Sequence, residues 1–267
     1  MPEAAENLAQ HPAEDGLLRY EQPLTERMRT FLRIEFLFEQ ALCHCKEPTD
    51  HATRAAVGSL LEILTILGRG DVRTDVLKDL ERQAEVLGRY RRTPGVDTRR
   101  LDELIERLSA LRGQLAEAGP QFMNPLKECE FLSTIKHRSS IPGGTCVFDL
   151  PDYGYWLHLP HKERQSTLEQ WVDKLRPVCD GIGELLWLTR ETSQPTETTA
   201  AGGMYQQNLP RTEQFSLVRI LLPARRGIFP EISAGQHRFT VRFVRWRGVD
   251  SRPNQASQDV QFLLALA

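Results

Sequence analysis

Three short constellations in this chain bring together residue types that could do chemistry. Cys43, His44 and Cys45 offer two thiols and an imidazole, the start of a zinc site. A tetrahedral site needs four ligands and no second cluster completes the set, so the preferred reading is helix packing. His158 and His161 flank a proline, which disrupts the i, i+4 arrangement of zinc hydrolases, and no neighbouring glutamate matches that pattern. Gly143-Gly144 lacks the Lys-Ser/Thr of a phosphate loop and the spacing of a dinucleotide fingerprint, which leaves a turn. No serine or cysteine stands out as a nucleophile. The sequence therefore predicts no catalytic residue, no metal and no cofactor.

The cations are more informative. Residues 211–247 hold eight arginines (Arg211, Arg219, Arg225, Arg226, Arg238, Arg242, Arg245, Arg247) against Glu213 and Glu231, a local balance of +6 in a chain of net charge -2. In the run from Arg238 to Phe243, Phe239, Val241 and Phe243 alternate with Arg238, Thr240 and Arg242. Period-two alternation predicts a half-buried strand with a cationic outer face. Arginine keeps its charge and presents a planar fork of donors, so such a face suits a carboxylate-bearing peptide. The plain alternative is a solvated face. A second functional alternative is single-stranded nucleic acid, because Phe239, Phe243 and Trp246 are mixed with the arginines; the inward-facing phenylalanines and the slightly acidic chain argue against it.

Helices must position much of the rest. Thr25 stands where an N-cap belongs, with Glu26 in the first turn, and the helix that follows to about His44 buries Met28, Phe31, Leu32, Leu37, Phe38, Ala41 and Leu42. Arg29, Arg33 and Gln40 gather opposite, and Glu35 and Glu39 sit inside the apolar arc, where a carboxylate needs a partner. Asp50 can cap a second helix, ended by Gly68 and Gly70 with Arg69 in the turn. A third runs from about Val72 to Thr93-Pro94-Gly95, a fourth from about Asp97 to Gly119-Pro120, and a fifth over residues 122–138. Ile141-Pro142-Gly143-Gly144 is turn chemistry. Cys146-Val147-Phe148 and Tyr153, Tyr155 and Leu157 read as strands. Residues 160–190 form one more helix, which Pro177 should bend. Alternating runs near residues 203–207, 215–222, 238–245 and 259–266 are strands.

The expected fold class is thus α+β, an N-terminal helical domain with a smaller antiparallel β-sheet domain. Residues 1–16 carry Glu3, Glu6, Glu14 and Asp15 without a Lys or Arg and read as a disordered acidic tail. Residues 17–140 form the mainly helical domain, with residues 17–22 able to pair as a strand with the β domain. Residues 141–160 are assigned as strands, 161–192 as a helix packing with the helical domain, and 200–267 as the β domain. At 40% hydrophobic and 26% charged residues the composition is that of a soluble globular protein. No apolar run approaches the roughly 20 residues of a membrane span, and the first sixteen residues lack a basic start and an apolar stretch. Together with five cysteines, an odd number in a chain too large to need disulfide staples, this predicts a cytoplasmic protein with reduced thiols and no membrane insertion.

Eight ordered blocks carry a family resemblance. They are Glu-x-Pro-Leu-x-Glu-x-Met-Arg-Thr-Phe-Leu-Arg-Ile-Glu-Phe-Leu at residues 21–37, Arg-Gly-x-Val-Arg-Thr-x-x-Leu-Lys at 69–78, Pro-Gly-Val-Asp at 94–97 and Arg-x-Ser-Ile-Pro-Gly-Gly at 138–144. Phe-Asp-Leu-Pro at 148–151, Trp-Leu-His-Leu-Pro at 156–160, Gly-x-Tyr-Gln at 203–206 and Arg-Phe-x-Val-Arg-Phe at 238–243 complete the series. Collinear from Tyr20 to the C-terminus, they resemble the ZapD family of FtsZ-associated bacterial cell division proteins. The resemblance implies a homodimer that binds the C-terminal tail of FtsZ, bundles its filaments and is recruited to the mid-cell division ring. It also implies that a basic surface receives the tail, at the matching positions Arg33, Arg69, Arg73, Arg138, Arg238 and Arg242, with His158 a further candidate. Three of these have bland alternatives: Arg33 pairing with Glu35 or Glu39, Arg69 closing a helix end, and Arg138 bracing the glycine turn. The stretch before Tyr20 is longer than the family pattern requires. One use for it is weak competition for the basic groove.

Overall fold

A computed structural model describes residues 16–210, 212–224, 227–235 and 237–267. The expectations for residues 1–15, and the contributions of Arg211, Arg225 and Arg226 to a basic surface, lie outside the described residues. In chain order the elements are β1 (Leu17–Pro23), α1 (Glu26–Cys45), α2 (Asp50–Leu67), α3 (Val72–Tyr90), α4 (Thr98–Ala118), α5 (Asn124–Lys127), α6 (Glu130–Ser139), α7 (Pro151–His158) and α8 (His161–Thr192). Then come β2 (Thr196–Ala200), β3 (Met204–Asn208), β4 (Leu217–Pro223), β5 (Ile228–Gly235), β6 (Arg238–Arg245), β7 (Asn254–Gln255) and β8 (Val260–Leu266). The fold is α+β with antiparallel sheets, and it divides into two compact units: Arg33–Leu186, and Met1–Leu32 with Trp187–Ala267.

In the helical unit α2, α3 and α4 start with side-chain caps. Thr49 accepts from the Ala52 N–H (3.1 Å), Asp71 from Thr74 (3.2 Å), and Asp97 from both Arg99 and Arg100 (3.1 and 3.2 Å). Each such cap is worth about 1 kcal/mol. The expected cap of the second helix thus moves by one residue: Thr49 caps, and Asp50 is the first-turn acid, where it takes a 2.8 Å hydrogen bond from Arg164. Arg164 is only 4% exposed and also donates to Thr53 Oγ1 (3.0 Å), tying the start of α8 to that of α2. Apolar stripes then bury Ile34 and Phe38 of α1, Leu60 and Ile63 of α2, Leu80 of α3, Leu108 of α4 and Leu175 and Ile182 of α8. That is the helical periodicity at work.

The sheet unit is a sandwich. One sheet has strand order β1-β4-β8-β2, and the other β3-β6-β5 with β7 pairing the end of β6. Val218, Ile220, Phe262 and Leu264 from the first sheet meet Phe239, Val241 and Phe243 from the second, with the Phe243 and Phe262 ring centroids 5.0 Å apart. Packing two such faces is what period-two burial requires. The unit takes in strand β2, before residue 200, and strand β1, which pairs antiparallel with β4.

Two expectations are corrected. The region 141–160 holds no strand: residues 142–149 are turns, and residues 151–158 are the helix α7. Pro151 at the first helical positions and Asp152 in the first turn start that helix. Tyr153 and Leu157 are buried one turn apart, while Tyr155 between them is 72% exposed, so the apolar run has helical period. The single helix over 122–138 is two, α5 and α6, separated at Cys129, whose backbone is extended.

Candidate partner-binding surface

The sheet arginines come first, because their strand is the clearest. In β6, Phe239, Val241 and Phe243 are fully buried and Arg238 and Arg242 are exposed on the opposite face. Met204 pairs with Arg242 from β3 and Glu231 pairs with it from β5. Glu231 accepts from the Arg242 Nε (3.1 Å) and from its Nη2, so that cation already has a carboxylate. Arg238 has no side-chain partner among the described residues.

Arg219, counted with the basic stretch, is not part of a surface. It lies in β4 directly opposite Glu21 of β1 and donates to that carboxylate (3.1 Å), to the Arg190 carbonyl (2.7 Å) and to Ser193 Oγ (2.9 Å). Arg190 grips Glu21 with two more hydrogen bonds (3.0 and 2.8 Å). Burial alone would raise the Glu21 carboxyl, but the two guanidiniums more than reverse it and hold its pKa below the usual value.

In the helical unit the candidates divide. Arg73 donates to the Leu115 carbonyl from Nε and Nη2 (3.3 and 3.1 Å) and to Ala116 (3.3 Å), so it satisfies the last carbonyls of α4. Arg138 stands 3.7 Å from Asp149, and its carbonyl accepts from the Ile141 N–H (3.0 Å). His158 turns back on its own helix, its Nδ1–H donating to the Gly154 carbonyl (2.6 Å). Arg33 and Arg69 are exposed, with no side-chain partner among the described residues. For Arg33 the alternative of pairing with Glu35 or Glu39 is therefore not what is found.

Of the seven positions, Arg69 and Arg73 line one cleft of about 470 Å³, and Arg238 and Arg242 share one sheet face. Neither unit brings all seven together. Sequence reasoning missed three side chains beside Arg69: the cations Lys127 and Lys136 and the imidazole of His137, which line an adjoining cleft of about 410 Å³. The signal available was the basic last turn of α6, where Lys136, His137 and Arg138 are consecutive. The cysteine-histidine fragment is split by its helix. Cys43 is exposed, whereas Cys45 is in the core with its thiol pushed up to about 11 by burial, reinforced by Glu169, which makes it a poor thiolate ligand at neutral pH.

The chain is similar over most of its length to known proteins. A family model described as ZapD, cell division protein, matches residues 32–242. A cell division protein ZapD from Methylococcus capsulatus is 36% identical over 247 residues, covering 92% of this chain and 96% of its own length. Proteins of the same name from Bordetella petrii (34% over 250 residues, 94% and 99%) and Coxiella burnetii (33% over 249 residues, 92% and 96%) align as fully. With a match of that length and relatives of that identity, the chain belongs to the ZapD family of cell division proteins.

Proposed function

We propose that this protein acts in division by binding the acidic C-terminal tail of FtsZ and, as a homodimer in the cytoplasm, cross-linking FtsZ filaments at the mid-cell ring. The observation that carries this reading is that Arg33, Arg69 and Arg238, all at family-matched positions, are exposed and unpaired among the described residues. An unpaired surface guanidinium has no internal carboxylate to give up when an acidic peptide arrives. Each tail contact is then modest in strength. A filament offers many tails and a two-fold dimer offers each site twice, so tethering raises the effective concentration and bundling needs no tight single contact. No helix among the described residues is long and apolar enough to cross a membrane, which fits recruitment through a protein partner.

The nucleic-acid alternative has less support. Phe239 and Phe243, the rings that would stack on bases, are fully buried, which leaves only Trp246 exposed beside the arginines. The test is charge reversal at the unpaired positions. R33E and R238E are expected to reduce FtsZ bundling, followed by light scattering, several-fold or more with the circular dichroism spectrum unchanged. Undiminished bundling in both variants overturns the assignment of these residues.

A further inference from the structure

The cleft beside Arg69 has a composition that a solvated surface does not require. Its floor is Leu61, Leu64, Leu126 and Leu132, exposed by only 2 to 7% because they also belong to the core. Its rim is Arg69, Lys127, Lys136 and His137, all exposed and without side-chain partners among the described residues. No Asp or Glu lines it. Arg69, Lys136 and His137 stand at the C-terminal ends of α2 and α6, where cations also balance the helix dipoles. That role accounts for the charges, Lys127 in the last turn of α5 included; it does not account for the four leucines beneath them.

We propose that this cleft seats an acidic peptide segment of a protein partner, with a leucine-sized side chain on the leucine floor and flanking carboxylates on the Arg69, Lys127 and Lys136 cations. The inference rests on the reading above that the protein docks an acidic tail, and it assigns that docking to a place and a side-chain pattern. Charge complementarity selects carboxylates, and the aliphatic floor selects an apolar side chain over a stacked base, for which aromatic platforms would be needed. A single apolar anchor flanked by ion pairs is a common way to obtain specificity from a shallow site.

The experiment measures binding of the full chain to a fluorescent peptide of alternating Leu and Asp by anisotropy, with a Ser-for-Leu peptide, an oligo-dT and a peptide of this chain's residues 1–15 as competitors. K136E reverses a charge, and S133W fills the cleft without changing charge, Ser133 being half-buried on its wall. The expected result is that both variants, and the loss of leucine from the peptide, each weaken binding by about ten-fold or more, with unchanged melting temperatures. K127E checks the charge arm if K136E fails to fold, and T65W the steric arm if S133W does. Unchanged affinity in the variants overturns the proposal. If tail-dependent pelleting with FtsZ then persists, the functional reading stands and the tail docks on other cations. Sensitivity to K136E alone overturns the apolar seat, because the cations then act only as a field. Superior competition by oligo-dT, or by the peptide of residues 1–15, overturns the assignment to a protein partner's segment.

Discussion

Arginine does two different jobs in this chain, and what each guanidinium touches decides which. Glu21 lies between Arg190 and Arg219 with the side chains of all three no more than 17% exposed, so removing the carboxylate takes a shared counter-charge from two buried cations. E21Q is expected to cost about 3–5 kcal/mol, read from urea denaturation. Because the folded Glu21 pKa is depressed, its contribution is complete above the unfolded value of about 4.3 and is lost as pH falls through the folded pKa. The stability gap between wild type and E21Q should therefore close in acid below about pH 4; a gap that stays constant there would contradict the triad. Arg73 and Arg69 make the converse pair. R73A loses charged donors from the end of α4 and should cost about 1.5 kcal/mol. R69A touches nothing internal and should change stability by less than about 0.5 kcal/mol. Matching melting temperatures for the two variants would show that Arg73 is as free as Arg69.

At the scale of elements, the glycine turn after α6 leaves no room for a side chain at Gly144. A Cβ on Gly144 would stand 2.4 Å from the Arg138 carbonyl oxygen and 2.8 Å from the Ile141 Cβ. G144A should therefore cost about 1–3 kcal/mol by overpacking, seen as a lowered thermal midpoint; an unchanged midpoint would mean the turn opens freely. That turn was legible because proline and two glycines leave little else possible. The long helices were legible too, since leucine recurs at helical spacing for several turns in α2 and α4, and β6 alternates from Arg238 to Phe243. What could not be read were segments whose pattern is short or mixed. Tyr153, Tyr155 and Leu157 satisfy a strand period as well as a helical one. β5 carries Pro230 and ends at Gly235, as a linker would, and is tolerated because it is an edge strand. β2, Thr-Glu-Thr-Thr-Ala, has almost no apolar residue to alternate. The cleft cations were illegible for another reason: Lys127 and Lys136 meet Arg69 only through the packing of α5 and α6 beside α2, which no local pattern encodes.

For the whole molecule, the proposed function makes affinity a matter of number rather than depth. On the proposed function one copy would hold one acidic segment weakly, and a bundle would form only when two sites engage tails on different filaments. The acidic polymer end is thus the element on which the proposed function depends. The most direct measurement is co-sedimentation of the purified protein with polymerised FtsZ, full-length and lacking its C-terminal tail, at one ionic strength. The protein should pellet with intact filaments and remain in the supernatant with tail-less ones; equal pelleting with both would contradict tail binding.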